Sequence, residues 1–452
     1  MIIFREGTVP EESSWYAGLE PKVYHQVDHI VRTFSSDETP SDRRADIGGV
    51  AADDGGVHFM HAERQLVVRE EHLDHVRQIL GLPIPDRAQG PPPGVRRVTR
   101  GVVELTFEPD SDLGQRGVPD IVNDIDSELG SGIATPNHVL TVAPEMGPCP
   151  ATEPREVEDG IEPYPGARWE NGGAGVLIYI ADTGLLKGAE ENHPWLQGVS
   201  CEKNSHPWLH EVMSEEDKLP PEKMVDGKQI QPIGGYDGHG TFVAGVARCM
   251  APQADIIVDN VFDVAGSALE THFVRKLDAA LRLGVDIFHL SVAAPTRNDI
   301  ALVSLQGWME RLQDYKGVAC VVPAGNSGTR RPCWPAAFPG MISVGALATD
   351  LRTRADFSNY GGWVDVYAPG RELINAYATG TYTCHVAPYK DEERTFYGMA
   401  RWSGTSFSSP IVTGLIAARM SRTGENAHQA AAGLLTEARA KAVPGVGPVL
   451  LP

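Results

Sequence analysis

The chain has 452 residues, 42% of them hydrophobic and 22% charged, enough for two or three globular domains with sizeable cores. Its 39 Lys and Arg against 60 Asp and Glu give a formal charge of -21, which argues against a general nucleic-acid binder, because neutralising phosphates needs clustered cations. No stretch approaches 18 uninterrupted apolar residues and the first residues carry no basic segment followed by an apolar run, so neither a membrane span nor a secretion signal is expected.

Residues 57–60 read as a strand, and Leu73, Val76 and Leu80 as one face of a helix. A Pro/Gly-rich break follows at 82–94. Residues 102–107 read as a strand, Ile121, Ile125 and Leu129 as a helix face, and residues 138–142 as a closing strand. Residues 1–146 are therefore expected to form a small α+β region, joined by a Pro-rich linker at 147–166 to the remainder, 167–452.

From Gly175 the pattern changes. Residues 176–180, 256–258, 285–290, 318–322 and 341–344 are short β-branched runs, as expected of parallel strands buried on both faces. Leu269, Phe273, Leu277 and Leu281 mark a crossover helix, and residues 300–312 a second. The fold class expected for this part is α/β, a parallel sheet with helices on both faces. Six cysteines, at 149, 201, 249, 320, 333 and 384, show no C-x-x-C spacing, so reduced thiols and a cytoplasmic location are expected.

Three motifs carry chemistry: Ala181-Asp182-Thr183-Gly184, Gly238-His239-Gly240-Thr241, and Gly404-Thr405-Ser406-Phe407-Ser408-Ser409-Pro410. An acid, a base and a nucleophile each stand at a glycine-flanked turn. A serine hydroxyl is a poor nucleophile unless an imidazole removes its proton and a carboxylate orients that imidazole. Asp182 ends an apolar strand, which puts it at the carboxyl edge of the sheet, where open α/β folds build their sites. Ser406 precedes an apolar helix expected over 409–420, with Pro410 in its first turn.

With Pro323-Ala324-Gly325-Asn326 as a fourth motif, the chain resembles the subtilisin-like serine proteases over roughly its last 300 residues. The resemblance implies that Asp182, His239 and Ser406 form a catalytic triad and that Asn326 joins the Ser406 backbone N–H in an oxyanion hole. It also implies a peptide or protein substrate, pairing with Ser291-Val292-Ala293 and with Ala324 and Gly325, and a specificity pocket floored by Cys333. No cofactor and no metal ion are expected, because the helix after His239 runs on to Ala251-Pro252 without the calcium-binding insertion of many relatives. Two departures stand out: Phe242 replaces a usual second histidine, and Ala293 a usual glycine. The interval between Asp182 and His239 is 57 positions, longer than is common, and residues 187–236 are expected to rim the cleft. The N-terminal region is expected to act as an intramolecular inhibitor or a docking domain. A non-catalytic peptide-binding module on the same scaffold, and a peptide ligase or cyclase, stand as alternatives.

Overall fold

The computed structural model describes residues 14–53, 55–84, 92–142, 151–158, 160–166, 172–201, 223–225, 228–230, 232–263, 265–385 and 388–452. The first part of the chain runs through helix α1 (Pro21–Ser35), strands β1 (Ile47–Ala51) and β2 (Val57–Arg69), and helix α2 (Leu73–Ile79). It continues through β3 (Val95–Thr99), β4 (Val102–Thr106), α3 (Val118–Leu129) and β5 (Ala134–Thr141). The sheet order is β5-β2-β4-β3, with β1 on β2, and all the pairings are antiparallel. Alternation along β2 sends Leu66 and Val68 to one face, where they pack with Val76 of α2 and Ile121 and Ile125 of α3. Helix α1 and strand β1 go beyond the expected elements. Val23, Val27, Ile30 and Phe34 of α1 pack on Val139, Ala265 and Leu269, all far from α1 in the sequence.

The second part begins with β6 (Leu177–Asp182), α4 (Ala189–Asn192), β7 (Val199–Cys201), β8 (Lys223–Val225), β9 (Lys228–Ile230) and β10 (Pro232–Ile233). Helix α5 (His239–Met250), β11 (Asp255–Asn260), β12 (Ser267–Leu269), α6 (Glu270–Ala280), β13 (Ile287–Leu290) and α7 (Val303–Leu312) follow. Strands β14 (Ala319–Pro323), β15 (Ile342–Leu347) and β16 (Val366–Pro369) complete the sheet. A hairpin of β17 (Leu373–Thr383) and β18 (Glu393–Trp402), then α8 (Thr405–Thr423) and α9 (Ala427–Ala440), close the chain.

The seven-stranded sheet has the order β16-β15-β14-β13-β6-β11-β7, and its pairings are parallel. Alternate residues of each strand enter different cores, which is why the strands read as continuous apolar runs. Ile178, Ile180, Ile287 and Val321 meet Phe242 of α5 and Ile411 of α8, while Tyr179, Phe288 and Cys320 meet Phe273 of α6 and Trp308 of α7. Each such side chain contributes about 1.5–3 kcal/mol through burial. The chain leaves β6 for β11 on one side and returns to β13 on the other, so the strand order reverses at β6 and opens a crevice at its carboxyl end.

Two expectations change. Helix α8 begins at Thr405, before the expected 409, so Ser406 lies in its first turn and Pro410 lies inside the helix. Lacking an N–H, Pro410 cannot bond the carbonyl of Ser406, four residues back. The polar run Thr405-Ser406 gave no apolar period by which to place that start. The second concerns the Pro-rich stretch 147–166, whose described part is docked along the hairpin. Arg155 N donates to Arg401 O at 2.9 Å, Tyr164 and Ile374 exchange bonds at 2.8 and 3.0 Å, and Trp402 Nε1 donates to Thr152 O at 2.6 Å.

Candidate active site

Asp182 is the last residue of β6 and His239 the first of α5. Gly238 precedes that helix with φ 81°, a conformation that glycine adopts without strain. Gly240 allows the close approach of the two elements, because a Cβ there would stand 2.3 Å from the carbonyl oxygen of Gly184. Hydroxyls tie the same turns: Gly240 N donates to Thr183 Oγ1 at 3.0 Å, and Leu186 N to Thr241 Oγ1 at 2.9 Å.

His239 Nδ1 lies 2.7 Å from Asp182 Oδ1, and both side chains are fully buried. Thr183 N donates to the same oxygen at 2.6 Å. Burial alone would push the Asp182 carboxyl up, but the adjacent His239 and these hydrogen bonds outweigh it and hold it below the usual carboxylate range. Ser291 acts in the same direction. Its hydroxyl does so without a well-formed hydrogen bond, since neither Asp182 Oδ2 nor Ser291 Oγ has a partner.

The other side of the His239 ring meets aromatic side chains. Trp402, at the end of the hairpin, stands edge-on to it at 5.7 Å, and Phe407, next to Ser406, lies 5.3 Å away. Phe242, the departure noted in the sequence, packs 4.4 Å from Phe407. The ring next to the serine thus brings the start of α8 against the histidine. Ser406 is buried, and His239 Nε2 is buried without a hydrogen-bond partner among the described residues. Bonds between a base and a nucleophile are often long before substrate arrives.

Asn326 follows β14, and its Oδ1 accepts from Thr405 N at 2.8 Å and from Thr405 Oγ1 at 2.9 Å. Both bonds fix the amide so that Nδ2, the donor end, is left over beside the residue preceding Ser406. Gly325, with φ 97°, donates its N–H to Thr405 Oγ1 at 3.1 Å. Asn359, which sequence reasoning did not single out, braces this loop: its Nδ2 donates to Ala324 O at 2.9 Å and its backbone N to Gly325 O at 2.9 Å. Nothing in the turn Ser358-Asn359-Tyr360 signals that contact.

Residues 291–293 leave β13 beside Asp182, and Ser291 N donates to Ala181 O at 3.1 Å. Ala293 pairs with Thr141 of β5: Thr141 N donates to Ala293 O at 3.2 Å, and Ala293 N to Thr141 O at 3.0 Å. On its other edge β5 is antiparallel to β12, and Val142 N donates to Gly266 O at 3.0 Å. Leu140 and Val142 are buried with Ala268, Val292 and Ala294. Cys333 is buried, and its Sγ lies 3.3 Å from where a Cβ on Gly325 would be. Ala294 N donates to Trp334 O at 2.9 Å, so the expected pocket segments adjoin. Of the expected rim at 187–236, residues 202–222 lie outside the described residues, as do Ala143 and Pro144 after β5. Among the described residues, no group of three or more His, Cys, Asp or Glu side chains is arranged to hold a metal ion.

The Subtilase family model matches residues 173–446, more than half of the chain, and the chain belongs to that family. It is a subtilisin-like serine endopeptidase, a hydrolase. Thermitase of Thermoactinomyces vulgaris is 29% identical over 262 residues, 54% of this chain and 74% of thermitase. The thermophilic serine proteinase of Bacillus sp. (strain AK1) is 31% identical over 224 residues, 45% of this chain and 49% of that one, so the match spans about half of that relative. An intracellular serine protease of Paenibacillus polymyxa is 27% identical over 278 residues, 58% of this chain and 72% of its own. The crystal structure of fervidolysin from Fervidobacterium pennivorans, described as a keratinolytic enzyme related to subtilisin, shares the fold. It has a TM-score of 0.56 at 18% identity and covers 89% of this chain and 61% of that one, which takes the likeness beyond residues 173–446.

Proposed function

We propose that the chain hydrolyses peptide bonds through an acyl-enzyme on Ser406. His239 Nε2 takes the Ser406 proton as Oγ attacks the scissile carbonyl, and later returns it to the leaving amine. Asp182 holds the ring through Nδ1 and stabilises the imidazolium that forms. The tetrahedral oxyanion receives N–H bonds from Asn326 Nδ2 and the Ser406 backbone. Water then attacks the ester, with His239 again as base, and releases the acid. The 2.7 Å bond between His239 Nδ1 and Asp182 Oδ1, with Nε2 left open beside the start of α8, carries this reading. A fluorophosphonate probe tests it: Ser406 is labelled in the wild type, and labelling and hydrolysis vanish in Ser406→Ala and His239→Ala. Near wild-type activity in either variant would overturn it.

The N-terminal region, residues 1–146, serves as an intramolecular inhibitor of the domain at 167–452. Substrate strands would lie between β12 and residues 291–293, the slot that residues 139–142 fill with backbone bonds on both edges. An occupied slot excludes a competing peptide, and tethering gives even a weak ligand an effective concentration of about millimolar. The seam is further held by Arg297 with Asp126 at 2.8 Å, Arg275 with Glu104 at 2.8 Å and Arg100 with Asp314 at 2.7 Å.

The enzyme works in the cytoplasm. Cys249, Cys320 and Cys384 are free thiols, and one relative is named an intracellular serine protease. Among the described residues no helix is long and apolar enough to cross a membrane.

A further inference from the structure

Beneath the Asp182 and His239 pair lies a second buried histidine that the reaction above does not use. His289 is on β13, and its register partner on β6 is Ile180, two residues before Asp182. Side chains two apart on a strand share a face, so His289, Ser291, Ile180 and Asp182 point to the side covered by α5 and α8. His289 Nδ1 lies 3.0 Å from Thr413 Oγ1, two turns beyond Ser406 on α8. The Thr413 hydroxyl also lies 3.1 Å from Ser409 O. A carbonyl only accepts, so the hydroxyl proton is spent there, and Thr413 Oγ1 must accept from His289. That settles the ring: the proton is on Nδ1, and Nε2 carries a lone pair. His289 Nε2 is buried without a partner, and so are Asp182 Oδ2, Ser291 Oγ and Ser409 Oγ on the neighbouring elements.

We propose that His289 is a positioning residue for the hydrolysis proposed above: locked neutral by Thr413, it ties the helix carrying Ser406 to the strand beside Asp182. It acts through the Asp182 and His239 pair and touches no substrate. The ionisable groups that bear on it are Asp182 from β6 and His239 from α5, while α8 offers only the hydroxyls of Ser409 and Thr413. Burial pushes its pKa down to about 4, with Asp182 pulling it up and His239 pushing it down. A cation at this point would compete with His239 for the Asp182 carboxylate and weaken the hold of His239 on the proton from Ser406. A neutral donor fixes the geometry without that cost.

Histidine-selective 15N NMR of the full chain tests this whether or not the cleft is occupied. The expected result is a neutral Nδ1–H His289. His289→Phe, which fills the space but donates nothing, shifts the signal of the His239 Nδ1 proton that faces Asp182. His289→Asn, which restores an uncharged N–H donor, returns it. Thr413→Val removes the acceptor and serves if the Phe variant does not fold; it too is expected to shift that signal. An Nε2–H tautomer of His289 in the wild type would overturn the inference, and so would an unshifted His239 signal in the Phe or Val variant. Failure of the hydrolase reading shows separately, as fluorophosphonate labelling that is absent from Ser406 or indifferent to His239.

Discussion

Thr141 and Ala293 exchange both of their backbone hydrogen bonds, at 3.2 and 3.0 Å, so the edge expected to hold substrate holds the chain's own N-terminal region. Two residues further along this antiparallel register stands Ser291, beside the Asp182 carboxylate, so the strand runs towards the proposed site. Val142 is 2% exposed between Ala268, Val292 and Ala294. In Val142→Asp a carboxylate would have to be buried without a partner, at a cost of a few kcal/mol, which is enough to shift the docked strand at least about ten-fold towards release. Initial rates on a chromogenic peptide should rise accordingly in the full chain. Unchanged rates would leave docking without kinetic consequence.

Asn326 is oriented by two bonds from Thr405 to its Oδ1, so its donor should matter to the transition state more than to binding. Asn326→Ala is expected to lower kcat about 10²–10³-fold, the loss known for an oxyanion-hole donor in subtilisin, with KM little changed. Thr405→Val keeps the backbone bond to Asn326 but loses the hydroxyl bond, and about a ten-fold fall is expected. Steady-state kinetics decide. A rise in KM at constant kcat would mean that Asn326 binds substrate only.

Stability should fall on mild acidification. Burial pushes His61 and His289 down to about 4, so between their ordinary value of 6.5 and 4 the unfolded chain binds more protons than the folded one, and stability drops as pH falls through that window. Buried Asp263, raised to about 6, acts in the opposite sense below pH 6. Each of the three is worth roughly 3 kcal/mol, so two histidines outweigh one aspartate. The Asp182 carboxyl, held low, contributes stability above its unfolded value and loses it only at lower pH still. Thermal melts at pH 7, 5.5 and 4.5 should show a falling Tm, less steeply in His61→Phe. A Tm that rises on acidification would contradict the balance.

Cys333 Sγ would stand 3.3 Å from a Cβ on Gly325, and if Cys333 floors the expected specificity pocket, a smaller residue there would deepen it. Cleavage after small or medium apolar side chains is therefore expected, and Cys333→Gly should shift preference towards larger ones by about ten-fold, the burial of one to two methylenes. Peptide-library profiling with mass-spectrometric readout tests this. A wild-type preference for Arg, Lys or Trp before the cut would refute it.

The sequence by itself determined the scaffold and the four residues at its edge. Apolar runs such as Ile287 to Leu290 are readable as parallel strands because both of their faces are buried, and a strand that ends in Asp182 announces the carboxyl edge of the sheet. The glycines around His239 and the Thr405-Ser406 pair are local requirements of backbone approach, and local requirements leave local marks.

The tertiary structure alone decided what depends on partners far apart in the chain. Gly404 to Pro410 gives no period from which to place the start of α8, because its polar residues are buried too, Thr405 against Asn326, while Phe407 packs on Phe242. Asn359 braces the loop of Asn326 through backbone atoms that any sequence would offer. Thr141 reads as an ordinary strand residue, and only closure of the sheets sets it against Ala293. His289 reads as a polar break in an apolar strand. Its tautomer follows from Thr413 and Ser409, more than a hundred positions away, because a hydrogen bond has a direction and only the assembled network fixes it.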